Sequence, residues 1–331
     1  MKSRFTRRLA CGALLAGTIA LAAGNAFAQT TNFPQRPVKL LAPFPAGGSS
    51  DVMLRQIAEG LHKLWNQPVV VEPKPGAAGI LVGDALARAE PDGHTAMLHV
   101  SGMVYLPALH AKIPFDPLTD FAPVSQVATM PLVFATHPSV PAKTLKEFVA
   151  LAKAQPGKLN FGSFGTGSAG HLYMEILKDA ANIDILHVPY KGEAPELTDL
   201  IGGQISSAIL SLPGSVPYAN SGKLIPLAVT GPTRAQQLPN TPTFVEGGFN
   251  EPGLESVSWY GIFLPAKTPK AIVDKFSRDL RTVLASPELK QRMQAYGMTL
   301  TGSTPEALAE LMKTDSARWT KVIRDNNIKV N

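Results

Sequence analysis

The chain has 331 residues, 45% of them hydrophobic, with 31 Lys and Arg against 25 Asp and Glu, for a formal net charge of +6. That length can bury a large core without covalent staples, and one cysteine, Cys11, excludes a disulfide framework and a cysteine metal site. Four of the basic residues lie in the first 28, and no Lys/Arg-rich block with interleaved aromatics occurs, so the charge gives no support to nucleic-acid binding.

Lys2, Arg4, Arg7 and Arg8 open the chain, a mostly apolar run follows from Leu9 to Ala23, and Ala26-Phe27-Ala28 forms a small-residue cleavage pattern before Gln29. This order predicts a secretory signal peptide over residues 1–28, cut after Ala28, and a periplasmic product. The run is shorter than the roughly 20 apolar residues that span a bilayer. Arg7-Arg8 could open a twin-arginine signal, but Leu9-Ala10-Cys11 fits one poorly, and Cys11 precedes the apolar run where a lipid-anchored cysteine would follow it. The mature chain would carry no thiol and a net charge of +2.

Val38–Pro43 reads as a short buried strand, Phe44–Ser50 as a Gly-rich turn, and the apolar spacing of Leu54, Ile57, Ala58, Leu61 and Leu64 as a helix. Ser49 or Ser50 can cap that helix, and Asp51 suits the positive end of its dipole. The pattern repeats. Val69–Val71 is a strand, Pro75–Gly79 leads into a helix ending near Ala89, and Thr95–Val100 is a further strand. Ala122–Val127 and Leu132–Thr136 read as extended, and Leu145–Ala154 as a helix. Leu159–Phe161 is a strand running into Gly162–Ser168, with a helix from Ala169 to Ala181. Strands follow at Ile185–Val188, Ile205–Leu210 and Leu224–Val229, and Ser256–Leu264 is extended and apolar. Helices at Pro269–Ala285, Pro287–Tyr296 and Pro305–Asn326 close the chain, each opened by a proline.

Alternating strands and helices predict an α/β protein with two lobes, each a mostly parallel sheet flanked by helices, and a ligand cleft between them. Without one clean linker the chain is expected to cross between lobes more than once, near Phe121–Thr129 and Glu255–Leu264. Residues 29–128 with 260–331 would form the first lobe and 129–259 the second, with Trp259 and Tyr260 packing the hinge.

Two Gly-rich turns, Phe44–Asp51 and Gly162–His171, each follow a strand and open a helix. Such turns present unpaired backbone N–H groups at the positive end of a helix dipole and favour an anion. The candidate ligand residues are Phe44, Ala46, Gly47, Gly48, Ser49 and Ser50 in the first, and Ser163, Gly165, Thr166, Gly167 and Ser168 in the second. Either turn can equally be an ordinary capped strand–helix connection. His171 could donate to a carboxylate or make a structural hydrogen bond. Lys191, at the end of a strand, could reach a ligand charge or lie exposed in a turn.

Gly165-x-Gly167-x-x-Gly170 matches the dinucleotide fingerprint, but Pro189-Tyr190-Lys191 offers no acidic residue to hold a ribose. No G-x-S-x-G elbow, P-loop or H-E-x-x-H pair occurs, so neither enzyme chemistry nor a cofactor or metal is expected.

In order, Pro43–Val52, Val70–Gly79, Asp120–Val124, Phe161–Ser168, His187–Gly192 and Ala228–Thr230 give the chain its resemblance to a known family. It is similar throughout the mature region to the substrate-binding proteins of tripartite tricarboxylate transporters, the Bordetella-type uptake family of periplasmic solute receptors. The resemblance implies a monomeric receptor that closes its lobes on a small carboxylate, a di- or tricarboxylate, amino acid or aromatic acid. The carboxylate would be held by Phe44–Ser50 and Ser163–Ser168 and delivered to membrane transporter subunits. A sensor kinase as the partner is the alternative, and a periplasmic hydrolase a lesser one. Where relatives often carry Phe-Asp-Asn-Leu-Pro, this chain has Ile209-Leu210-Ser211-Leu212-Pro213, which leaves the distal wall of the site open to question.

Overall fold

The computed structural model describes residues 33–43 and 49–330. The signal segment 1–28 and the loop residues Phe44–Gly48 lie outside the described residues. The first sheet begins with β1 (Val38–Ala42), whose run of buried residues suits a strand covered on both faces. Helix α1 (Ser49–Trp65) follows and buries a stripe of Met53, Leu54, Ile57, Ala58 and Leu61. Then come β2 (Val69–Pro73), a 3-10 turn (Ala77–Gly79), α2 (Ile80–Ala87), β3 (Thr95–Val100) and the short α3 (Leu106–Leu109). The long strand β4 (Phe121–Met130) leads out of this sheet.

One residue, Pro131, separates β4 from β5 (Leu132–Thr136), the first strand of the second sheet. That sheet continues with α4 (Leu145–Ala154), β6 (Asn160–Ser163), α5 (Ala169–Ala181), β7 (Leu186–Pro189), α6 (Glu193–Ile201), β8 (Ser207–Ser211), α7 (Leu212–Asn220) and β9 (Ile225–Val229). Side-chain caps fix several helix starts: Thr144 accepts from the Glu147 amide at 3.2 Å and Thr304 from the Ala307 amide at 3.2 Å. The chain returns to the first sheet as β10 (Ser258–Pro265), and ends with α8 (Lys270–Leu284), α9 (Pro287–Ala295), β11 (Thr299–Leu300) and α10 (Pro305–Asp325).

The strand orders are β11-β4-β10-β3-β1-β2 and β7-β6-β8-β5-β9. The two-lobed α/β architecture agrees with the sequence, but each sheet is mixed where a mostly parallel one was expected. β2-β1-β3 and β7-β6-β8 are parallel, as helical crossovers require. β10 lies between β3 and β4 and runs against both, and β5 lies between β8 and β9 and runs against both. These antiparallel strands belong to the segments that carry the chain between sheets, which no crossover helix turns around.

The last helix joins the two halves. Trp319 of α10 packs its ring 6.0 Å from Tyr105 beside β3 and 5.2 Å from Tyr173 of α5. Trp259 donates its indole N–H to Asp315 at 2.6 Å, and Arg318 holds the other oxygen of that carboxylate at 3.0 Å. Trp259 and Tyr260 are both buried.

Candidate functional site

The carboxyl ends of β6, β7 and β8 lie side by side, where ligands collect in open α/β sheets. The loop after β6 is held by its own side chains. Ser163 is fully buried; its hydroxyl lies 2.7 Å from His187 Nε2 and 3.0 Å from the Gly165 carbonyl, and accepts from the Gly165 amide at 3.3 Å. The Gly167 amide donates to His171 Nδ1 at 3.0 Å, the Ser168 amide to the Gly165 carbonyl at 3.0 Å, and Ser168 Oγ caps α5 by accepting from the His171 amide at 3.4 Å. Gly167 has φ +77°, and a Cβ there would stand 2.6 Å from Leu109 and 3.2 Å from Val330, both outside the second sheet. Only glycine combines that backbone with so close an approach.

Beneath the loop, the rings of His171 and His187 stack with centroids 3.9 Å apart, and Phe161 continues the stack 4.8 Å from His187. Because His171 Nδ1 accepts from Gly167, the ring proton belongs on Nε2, which faces Glu175 at 3.6 Å. Burial alone would raise the Glu175 carboxyl, but His171 and Lys178, the latter at 2.8 Å, hold it below its usual range. Burial and the neighbouring His171 push His187 down to about 4. Ser163 and His171 therefore engage their side chains within the loop. Among the described residues, the amides of Thr166, Ala169 and Gly170 have no hydrogen-bond partner, and they stand at the positive start of α5.

The neighbouring helix starts differ. At α7, Glu193 accepts from the Ser211 hydroxyl at 2.6 Å and from the Ser211 amide at 3.2 Å, while Ser211 Oγ caps the helix through the Gly214 amide at 3.2 Å. Glu196, one turn further along α6, is fully buried with neither carboxyl oxygen hydrogen-bonded among the described residues. Burial, reinforced by Glu193, raises it to about 9. Lys191 is exposed at the end of β7, and Tyr190 donates to Asp199 at 2.8 Å. In the first lobe, Ser50 is buried in the first turn of α1, and Asp51 pairs with Arg55 at 2.9 Å. Of the first Gly-rich loop, Phe44, Ala46, Gly47 and Gly48 fall outside the described residues.

Sequence reasoning did not single out Glu193, Glu196 or His187. Glu193 and His187 find their partners on other elements 16 or more positions away, Glu196 is defined by its burial, and only a Gly before Glu193 hints at a helix start. Among the described residues no group of three His, Cys, Asp or Glu could hold a metal, and no helix is long and apolar enough to cross a membrane.

Two lobes joined by crossing strands are the architecture of solved periplasmic solute-binding proteins, a class of receptors and not of enzymes. Residues 53–328 match the family model described as the tripartite tricarboxylate transporter family receptor, and the chain belongs to that family. It is 32% identical to Protein BugT of Bordetella pertussis, over 98% of this chain and 99% of that protein. A solved R. palustris protein with adipate superimposes with a TM-score of 0.80 at 31% identity, covering 90% of this chain and all of that one. MatC from Rhodopseudomonas palustris with bound malate gives a TM-score of 0.76 at 30% identity, covering 88% and 100%.

Proposed function

We propose that the mature protein is a periplasmic receptor that captures a small carboxylate between its lobes and hands it to a membrane transporter. The observation that carries this reading is the start of α5. Its loop is locked by Ser163, Ser168 and His171, which leaves backbone donors at the positive end of a helix dipole for a ligand anion. The relatives solved with adipate and malate support a carboxylate as that anion. In this reading Ser163 and His171 position the loop, and Thr166 with the neighbouring amides makes contact. Phe44–Ser50 supplies the matching contacts from the first lobe, which comprises residues 29–128 and 260–331, against 129–259 for the second.

Closure follows from contacts on both sides of the cleft. A ligand that bridges two helix starts binds the closed form more tightly than the open one and shifts the population towards it by that difference. The signal pattern of residues 1–28 and the family description support export and a transporter partner. Titration calorimetry of the chain from Gln29 onward, against mono-, di- and tricarboxylates, aromatic acids and a neutral sugar, tests the reading. Micromolar or tighter binding of at least one carboxylate is expected. Binding of the sugar with no response to any carboxylate would overturn it.

A further inference from the structure

Beside the start of α5 the protein places a carboxyl group of its own, that of Glu193. Ser211 ends β8 and pairs with Leu132, two residues beyond the end of β4, so this end of the strand sits beside the crossing between lobes. Gly297, just before β11 in the first sheet, packs against Leu212 at the start of α7, where an added Cβ would come within 2.8 Å. Held on Ser211 by two hydrogen bonds, Glu193 therefore lies at the carboxyl end of β8, beside the crossing between lobes.

Its chemistry there is defined by its partners. Both carboxyl oxygens of Glu193 accept hydrogen bonds from Ser211, one from the hydroxyl and one from the amide. The single hydroxyl proton of Ser211 is given to Glu193, while its oxygen accepts from the Gly214 amide. Gly214 makes room for this arrangement, since a Cβ at that position would collide with Glu193 Oε1. The positive end of α7, which could otherwise take a ligand anion, is thus filled by a carboxylate of the chain. No described Lys, Arg or His forms an ion pair with it, and the loop residues Phe44–Gly48 contain no cation. Burial with no cationic partner raises the Glu193 carboxyl above its usual range, so a cation placed beside it favours its ionised form, and each oxygen retains a lone pair for that donor.

We propose that Glu193 sets the ligand class: the receptor takes a carboxylate that also carries a protonated nitrogen, with its carboxylate at α5 and its ammonium at Glu193, in preference to a di- or tricarboxylate. This rests on the receptor reading above and narrows it. A second ligand carboxylate at the α7 start would meet Glu193 at short range, whereas an ammonium would complete the ion pair that the fold leaves open.

The test uses the chain from Gln29 onward with 6-aminohexanoate, 4-aminobutyrate and glutamate set against adipate, malate and hexanoate. The wild type is expected to bind at least one amine-bearing acid ten-fold or more tightly than adipate or malate. Glu193→Gln should lower the ratio of 6-aminohexanoate to adipate affinity at least ten-fold, with folding checked by circular dichroism. Ser211→Ala, which removes the hydroxyl that orients Glu193, should lower the same ratio in the same direction and serves if the first variant does not fold. Adipate or malate binding as tightly as every amine-bearing acid, or a ratio unmoved in a folded variant, overturns this inference and leaves the receptor reading standing. Absence of binding by every acid, with or without an amine, overturns the receptor reading itself.

Discussion

Helices α5 and α7 start at the carboxyl ends of adjacent strands, β6 and β8, with the same kind of positive backbone at each start. At α5 the neighbouring side chains are an uncharged serine cap and a histidine that accepts from the loop, so the amides of Thr166, Ala169 and Gly170 stay available. At α7 the first residue of α6, Glu193, accepts from both the amide and the hydroxyl of the cap Ser211. A helix dipole supplies an anion site only where the protein does not neutralise it with its own carboxylate, and on the reading proposed above this difference separates the carboxylate end of the site from its cation end.

The largest effect is expected where the α5 side depends on backbone geometry. Gly167→Val places a β-branched residue at φ +77° and drives it into Leu109 and Val330. A strain of roughly 2 kcal/mol corresponds to a loss of about thirty-fold in carboxylate affinity by calorimetry. Unchanged affinity would mean that the α5 loop does not hold the ligand.

Next is Glu196, buried against Gly162 of β6. Its folded pKa of about 9 stands above the ordinary 4.5, so the folded state keeps a proton that the unfolded chain releases between those pH values. Stability contributed by this proton is full below pH 4.5 and falls as pH rises towards 9, by at most about 1.4 kcal/mol per pH unit. Urea unfolding of Glu196→Gln should lose less stability than the wild type between pH 5 and pH 8. An identical pH slope for the two proteins would show that Glu196 is already ionised in the fold.

His171→Ala frees the Gly167 amide and unstacks His187. Carboxylate affinity is expected to fall about ten-fold, equivalent to ~1.4 kcal/mol, and calorimetry reads it. Ser211→Ala removes the side-chain cap of α7 and should cost about 1 kcal/mol in chemical denaturation. Lys191→Ala is the smallest change. The side chain is exposed with no ion pair among the described residues, so stability should move by less than about 0.5 kcal/mol. Any effect on ligand capture should appear in a salt-dependent on-rate by stopped flow.

Much of this was legible along the chain because it is local. The strand Thr95–Val100, the helix Leu145–Ala154 and the proline-opened C-terminal helices follow from hydrophobic period and capping residues. So does the strand–glycine–helix grammar around Gly162–Ser168, in which Ser168 is the α5 cap. The antiparallel insertion of β10 between β3 and β4 was not legible, because a strand's neighbours depend on where the chain returns after more than 120 residues. By type and position Ser163 is a candidate ligand donor and His171 either a donor or a structural hydrogen-bond partner; only the fold brings His187 beside both and turns their side chains into the loop.

Residue order by itself determined that this protein has strand–turn–helix units whose glycines and small hydroxyls leave backbone amides at helix starts, and that its motifs mark it as a family member. Tertiary structure alone decided what each start presents to a ligand. Glu193 reaches Ser211 across 18 positions because β7 and β8 both lie against the same central strand, β6. That contact depends on a pairing of strands, which no local pattern encodes, and it separates a helix start open to a carboxylate from one already filled.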